Sequence, residues 1–174
     1  MCSRILRNEI EHLDFTRNFT IYDSADQMKC IKAVMSELKL DTAHWKPGSV
    51  AASISNAKNE LLSVDNFSQY KSGYYNDVVS KVYTKYQKYL EANNALDFDD
   101  LLFKIVHLFK NFPEVLDKYQ DKFRYILIDE YQDTNHAQYT ITQLLAQRYE
   151  NICATGDPDQ SIYGWRGANI RNIL

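Results

Sequence analysis

The sequence predicts an α/β protein in which helices flank a short parallel sheet, and three observations lead there. Residues 125–128, Tyr-Ile-Leu-Ile, are apolar at successive positions. Both faces of that strand are therefore greasy, as expected of a strand sandwiched between helices. A second strand, residues 152–155, follows a helical run of about fifteen residues anchored by Tyr139, Ile141, Leu144, Leu145 and Tyr149, and strand, helix, strand is the parallel crossover unit. Each strand then runs straight into a polar loop, Asp129-Glu130 after the first and Gly156-Asp157-Pro158-Asp159-Gln160 after the second. The carboxyl ends of parallel strands are where α/β proteins place their ligands.

The remaining elements are mostly helical. Residues 2–13 read as a helix with Ile5, Leu6, Ile10 and Leu13 on one side. Phe19-Thr-Ile-Tyr22 is a short extended piece, and Ser24-x-x-Gln27 forms a capping box that starts a second helix with the stripe Met28, Ile31, Val34, Met35 and Leu38. Pro47-Gly48 punctuates. A helix from 49 to about 62 then turns Ile54, Ala57, Leu61 and Leu62 inward and leaves Asn56, Lys58, Asn59 and Glu60 outside. The longest helix is expected over about 74–92, burying Val78, Val79, Val82, Tyr86 and Tyr89, with Lys81, Lys85 and Lys88 sharing a face. Asp97-Phe-Asp-Asp100 caps a further helix that buries Phe98, Leu101, Leu102, Ile105, Leu108 and Phe109. Pro113 starts a short helix through about 119, and another helix is expected to begin at Asn169.

Length and composition narrow the class. With 174 residues the chain can bury one good core and a second small one. A net charge of −3 argues against a protein that coats DNA, which carries a basic excess, but not against one that grips a strand in a single groove. Most of the thirteen tyrosines are expected at core and boundary positions. Cys2, Cys30 and Cys153 lack metal-ligand spacing and the four histidines are scattered, which reads as reduced cytoplasmic thiols without structural zinc. No run is long and apolar enough to span a bilayer, so no membrane partner is expected.

The strand-end acids carry the chemistry. A carboxylate at Asp129 can hold magnesium directly or through its water, and a neighbouring acid, Glu130, can take a proton from an attacking water. The plainer alternative is that these acids end a strand and that Asn135 caps the next helix. The longer pattern favours the first. Asp129-Glu130-Tyr131-Gln132-Asp133-Thr134-Asn135 and Gly156-Asp157-Pro158-Asp159-Gln160-Ser161-Ile162-Tyr163-Gly164-Trp165-Arg166-Gly167-Ala168 closely resemble motifs II and III of the UvrD/Rep/PcrA family of superfamily 1 DNA helicases, in their PcrA-type form. The likeness extends back through Leu96-Asp-Phe-Asp-Asp-Leu101, Ser55-Asn-Ala-Lys-Asn-Glu60 and Cys2-Ser-Arg-Ile-Leu-Arg7, so it covers essentially the whole chain.

That resemblance implies a partial RecA-like (P-loop NTPase) parallel-sheet domain with a mostly α-helical insert. Residues 1–19 would end one RecA-like segment, 20–100 would form the insert, and 101–174 would continue the RecA-like domain with motifs II and III. It implies ATP and Mg2+ as ligands of a larger protein that unwinds DNA 3′ to 5′, with single-stranded DNA as partner and the insert a candidate for the duplex junction. By the same resemblance Asp129 positions the metal, Glu130 activates the hydrolytic water, and Gln160 contacts the γ-phosphate and reports hydrolysis. Tyr163 and Trp165 are expected to stack on bases. Arg166 either holds a DNA phosphate or locks the loop to an acid such as Asp133. Ser55, Lys58 and Asn59 are candidates for phosphate contacts, against the equal alternative of a solvated helix face.

The pattern also departs from the family's. No Gly-x-x-x-x-Gly-Lys-Ser/Thr sequence occurs in the 174 residues. The expectation is an internal segment of a larger helicase that alone neither hydrolyses ATP nor unwinds DNA, and that either self-associates through uncovered sheet edges or is disordered near residues 125–129. Two other classes compete: a non-catalytic helical module that binds DNA or protein, and an acidic metal hydrolase built on Asp129, Glu130 and Asp133.

Overall fold

The computed structural model describes residues 1–164, 167–169 and 172. In chain order the elements are α1 (Cys2–Glu9), which runs on into a 3-10 turn, β1 (Thr20–Tyr22), α2 (Ser24–Glu37), α3 (Pro47–Asn59), α4 (Val64–Tyr70), α5 (Tyr74–Ala92) and β2 (Ala95–Asp97). There follow α6 (Phe98–Asn111), α7 (Pro113–Lys122), β3 (Ile126–Ile128), α8 (His136–Ala146) and β4 (Ile152–Ala154). Among the described residues no helix is long and apolar enough to cross a membrane.

Two apolar cores form. The first gathers Ile31, Val34 and Met35 of α2, Val50 and Ile54 of α3, and Val79, Val82, Tyr83, Tyr86 and Leu90 of α5. The second joins Ile5, Leu6 and Ile10 from the start of the chain to Ile105, Leu108 and Phe109 of α6, Val115 and Tyr119 of α7, and Ile141 and Leu145 of α8. The chain passes between them at a two-stranded parallel sheet, where β1 lies against β2 with Thr20 opposite Ala95, Ile21 opposite Leu96 and Tyr22 opposite Asp97. Successive strand side chains point to opposite faces. Ala95 accordingly enters the first core and Leu96 the second. Asn94 pins this crossing: its left-handed backbone (φ 45°) turns α5 into β2. Its side chain accepts from the Thr16 N–H at 2.9 Å and donates to Thr16 Oγ1 at 2.6 Å.

Helix starts follow side-chain capping, with one shift of frame. Helix α2 is capped by Asp23, whose carboxylate accepts from the N–H groups of Ala25 and Asp26, so the expected Ser24/Gln27 box lies one residue late. A carboxylate outcompetes a hydroxyl for those donors because its hydrogen bonds are charge-assisted. Asp97 with Asp100 caps α6, and Asn135 with Gln138 caps α8. Phe98 is exposed rather than buried, since it is the first residue of α6 and precedes the turn that packs inward. Tyr89 is also exposed. Neither α4 nor the three-residue β2 was expected.

Strands β3 and β4 pair in parallel, Ile126 opposite Ile152, Leu127 opposite Cys153 and Ile128 opposite Ala154. Only one face is covered. Ile126 packs on the second core, whereas Tyr125 is 76% and Leu127 81% exposed. The sandwiched strand expected from its two greasy faces is thus half realised, because no described element packs on the outer side.

Candidate nucleotide and nucleic-acid site

Strand β3 delivers Asp129 at its carboxyl end, and the parallel register places Thr155, the residue after β4, beside it. Thr155 donates its backbone N–H to the Ile128 carbonyl at 2.8 Å, and its own carbonyl accepts from the Tyr131 N–H at 2.9 Å. Its hydroxyl donates to Asp129 Oδ1 at 2.8 Å, and that oxygen also accepts from the Glu130 N–H at 3.0 Å. One carboxylate oxygen is therefore fixed from two directions on an otherwise exposed side chain. A single oriented carboxylate suits Mg2+, which keeps several waters and is commonly held by one or two carboxylates together with substrate phosphates. No group of three or more His, Cys, Asp or Glu that could hold a metal by itself occurs among the described residues.

Glu130 has a left-handed backbone, φ 52° and ψ 44°. An L-residue pays about 1–2 kcal/mol for that conformation, and such strain clusters at functional sites. The chain then closes a 3-10 turn over Tyr131–Asp133 that brings Gln132 back toward its neighbour. Gln132 is fully buried, and its side chain joins the two loops. Its Nε2 donates to Glu130 Oε2 at 2.6 Å, and its Oε1 accepts from the Asp157 N–H at 3.0 Å. Asp157 in turn accepts from Gln160 Nε2 at 2.7 Å. A hydrogen-bonded chain thus runs from Glu130 through Gln132 and Asp157 to Gln160.

The far ends of the same two loops meet a cleft of about 790 Å³ between the two cores. Asp133, Asn135 and Tyr163 line one side, and Tyr22, Ser55 and Phe98 the other. Among the described residues no lysine or arginine is in this lining. Asn135 Nδ2 donates to Asn59 Oδ1 at 2.7 Å, which ties α3 to the start of α8. Gly167 packs over this pair with φ 81°, a backbone that L side chains rarely adopt. Trp165 and Arg166 lie outside the described residues, as does most of the helix expected from Asn169.

Lys58 corrects the sequence expectation. It is not on the outer face of α3 but 1% exposed, with Nζ 2.8 Å from both Asp97 and Asp100. Tyr86 Oη at 2.9 Å and Gln27 Nε2 at 3.2 Å also donate to Asp97. Helix α3 is packed on two sides, on the first core and on the amino end of α6, so a lysine between them must be paired. Burial disfavours the ammonium, but the two carboxylates overcome that and raise its pKa. Burial likewise works against Asp97, yet Lys58 beside it holds that carboxyl below its ordinary range. Asp100 is pushed up to about 6 by burial, with the charge of Asp97 added and Lys58 opposing. Asn59 is buried as well but reaches the cleft wall beside Ser55, so Lys58 alone of the three is withdrawn from the cleft.

The whole of this arrangement falls within one family. The model of the UvrD/REP helicase N-terminal domain matches residues 1–174. The chain belongs to the UvrD/REP helicase family. It is 53% identical over 174 residues to the ATP-dependent DNA helicase PcrA of Bacillus subtilis (strain 168), covering all of this chain and 24% of that protein. It is 49% identical to the PcrA helicase of Staphylococcus aureus (strain Mu50) and 48% to that of Staphylococcus epidermidis, each over all of this chain and 24% of the relative. This UvrD/REP segment therefore spans about a quarter of the length of the relatives it matches. Two of its site-linking residues escaped the sequence reading. Gln132 stood inside motif II with no role assigned, and Thr155 gave no signal until the strand register set it beside Asp129.

Proposed function

We propose that this UvrD/REP segment supplies the acidic half of an ATP-driven DNA motor, together with part of its grip on single-stranded DNA. The observation that carries the reading is the hydrogen-bonded chain Glu130, Gln132, Asp157, Gln160, which makes one unit of the strand-end acids and the loop leading to Tyr163. In this reading Asp129 orients the metal, Glu130 accepts the proton of the hydrolytic water, and Gln160 senses the γ-phosphate by hydrogen bonding, since an amide cannot act as a base near neutral pH. Bound magnesium would neutralise charge developing on the phosphates. The phosphate loop and the second motor domain come from outside these 174 residues, which on their own neither hydrolyse ATP nor unwind DNA.

The cleft supports a grip on bases rather than on phosphates. Among the described residues its lining offers the rings of Tyr22, Phe98 and Tyr163 with amides and hydroxyls, and its charged groups are the acids Asp23, Asp97, Asp99 and Asp133. A flat ring stacks on any base for about 1–3 kcal/mol without reading sequence. Tyr163 is the stacking residue in this reading, with Trp165 and Arg166 assigned to the same strand and Ser55 and Asn59 holding the cleft wall. The 3′ to 5′ direction and a duplex contact by the insert, residues 20–100, rest on the family likeness.

The test is Glu130→Gln in the full-length polypeptide. Loss of the base should lower DNA-stimulated ATP turnover by about 10²–10⁴-fold with ATP binding retained. Turnover at the unsubstituted rate would overturn the assignment.

A further inference from the structure

We propose that Gln132 is a positioning residue that holds the Glu130 carboxylate in its working orientation and makes that orientation depend on the loop at Asp157–Gln160. The inference rests on the reading of Glu130 as the base and goes beyond it, because it concerns a side chain that touches neither nucleotide nor DNA.

The amide has no freedom in how it is placed. A carboxylate only accepts and a backbone N–H only donates. Nε2 must therefore face Glu130 and Oε1 must face Asp157, as the 2.6 Å and 3.0 Å contacts have it. The Gln132 carbonyl is also engaged, accepting from Ser161 Oγ at 3.3 Å. Both polar atoms of this fully buried side chain are engaged, Nε2 within its own loop at Glu130 and Oε1 across to the other loop at Asp157. A packing role would need no such match, and an apolar residue would fill the space at lower desolvation cost.

The geometry has a mechanical consequence. Glu130 is exposed and sits on a strained left-handed backbone, so few contacts other than this bond fix its carboxylate. Displacing Asp157, which Gln160 Nε2 contacts at 2.7 Å, pulls on the acceptor end of the amide and swings its donor end. Movement of Gln160 with the state of the nucleotide is then returned to the acid that produced it. The base is held in line only while the loop is seated.

The test compares Gln132→Met, which fills the volume but loses both bonds, with Gln132→Asn, which keeps the amide but withdraws it by one methylene, in the full-length polypeptide. A misplaced reacting group costs about 10²-fold. Both variants should therefore lose turnover on that order, with the KM for ATP within about threefold of the unsubstituted protein. Adding Gln160→Ala to Gln132→Met should cause less further loss than Gln160→Ala causes alone, because residues acting as a unit are non-additive. Unchanged turnover in Gln132→Met, or losses that simply add, would overturn the proposal. Equal losses in kcat and in ATP binding alongside a lowered melting temperature would assign Gln132 to folding instead and overturn it too. Glu130→Gln run alongside separates the two readings. Retained turnover there removes the base itself, whereas loss there with normal turnover in Gln132→Met removes only the positioning role.

Discussion

The Thr155 hydroxyl, 2.8 Å from Asp129 Oδ1, supplies one of the two bonds that fix this carboxylate. Replacing it by the isosteric Thr155→Val removes the bond without opening a cavity. Groups that orient metal ligands typically account for about 10–100-fold in affinity or activity. The Mg2+ concentration giving half-maximal ATP turnover should therefore rise by about tenfold or more, and Thr155→Ser should restore it. An unchanged Mg2+ requirement would show that Asp129 is oriented without Thr155. The positions of Asp129, Glu130 and Gln160 after two apolar runs were legible in one dimension, whereas the roles proposed for them rest on the family resemblance. Thr155 and Gln132 were not, since what each does depends on the pairing of two strands that lie more than twenty residues apart in the chain.

Helix α3 shows why a helical stripe alone misplaces a charge. Its apolar residues Ile54 and Ala57 do face the first core, and the sequence pattern sees that face. The second packed side is polar, formed by Lys58 and Asn59 against Asp97, Asp100 and Asn135, and a hydrophobicity pattern reads such a side as water-exposed. Helices α2, α3 and α5 each send one side chain, Gln27, Lys58 and Tyr86, to Asp97 at the point where the chain returns to the second core. Removing one member of a buried ion pair costs about 3–5 kcal/mol. Lys58→Met should lower unfolding stability by that amount in urea denaturation. Its affinity for single-stranded DNA, measured on folded protein across a salt series, should keep the original slope; a shallower slope would return Lys58 to the phosphate contacts.

The same cluster has a pH signature whose sign is fixed by its two carboxyls. Asp100, pushed from its ordinary 3.8 up to about 6, takes up a proton on folding between those values. Its contribution to stability therefore declines as pH rises from about 4 to about 6. Asp97, held below its ordinary range, contributes above about pH 4 and loses that contribution as pH falls. Asp100→Asn should abolish the decline between about pH 4 and 6 and leave the acid limb in place. Urea midpoints measured across that range read the difference directly, and an undiminished decline would place the titrating group elsewhere.

At the scale of the molecule, the α/β class, the parallel pairing of β3 with β4 and nearly all helices were legible from periodicity and caps. What was not legible was the β1–β2 crossing, because β2 has three residues and no pattern of its own. That crossing puts two cores side by side, each with its own apolar set, and leaves the cleft between them. The division proposed at residues 20 and 100 would fall at this hand-over, and the proposed self-association through sheet edges would also cover the exposed Tyr125 and Leu127.

The central claim is that residues 129–135 and the loop from Asp157 to Tyr163 move as one unit, with nucleotide at one end and a DNA strand at the other. Its most direct test is the affinity of the full-length polypeptide for single-stranded DNA with and without a non-hydrolysable ATP analogue. Coupled sites typically change each other's affinity by about 5–150-fold. The account predicts a change in that range, shrinking toward none in Gln160→Ala. Equal affinity with and without nucleotide would contradict it.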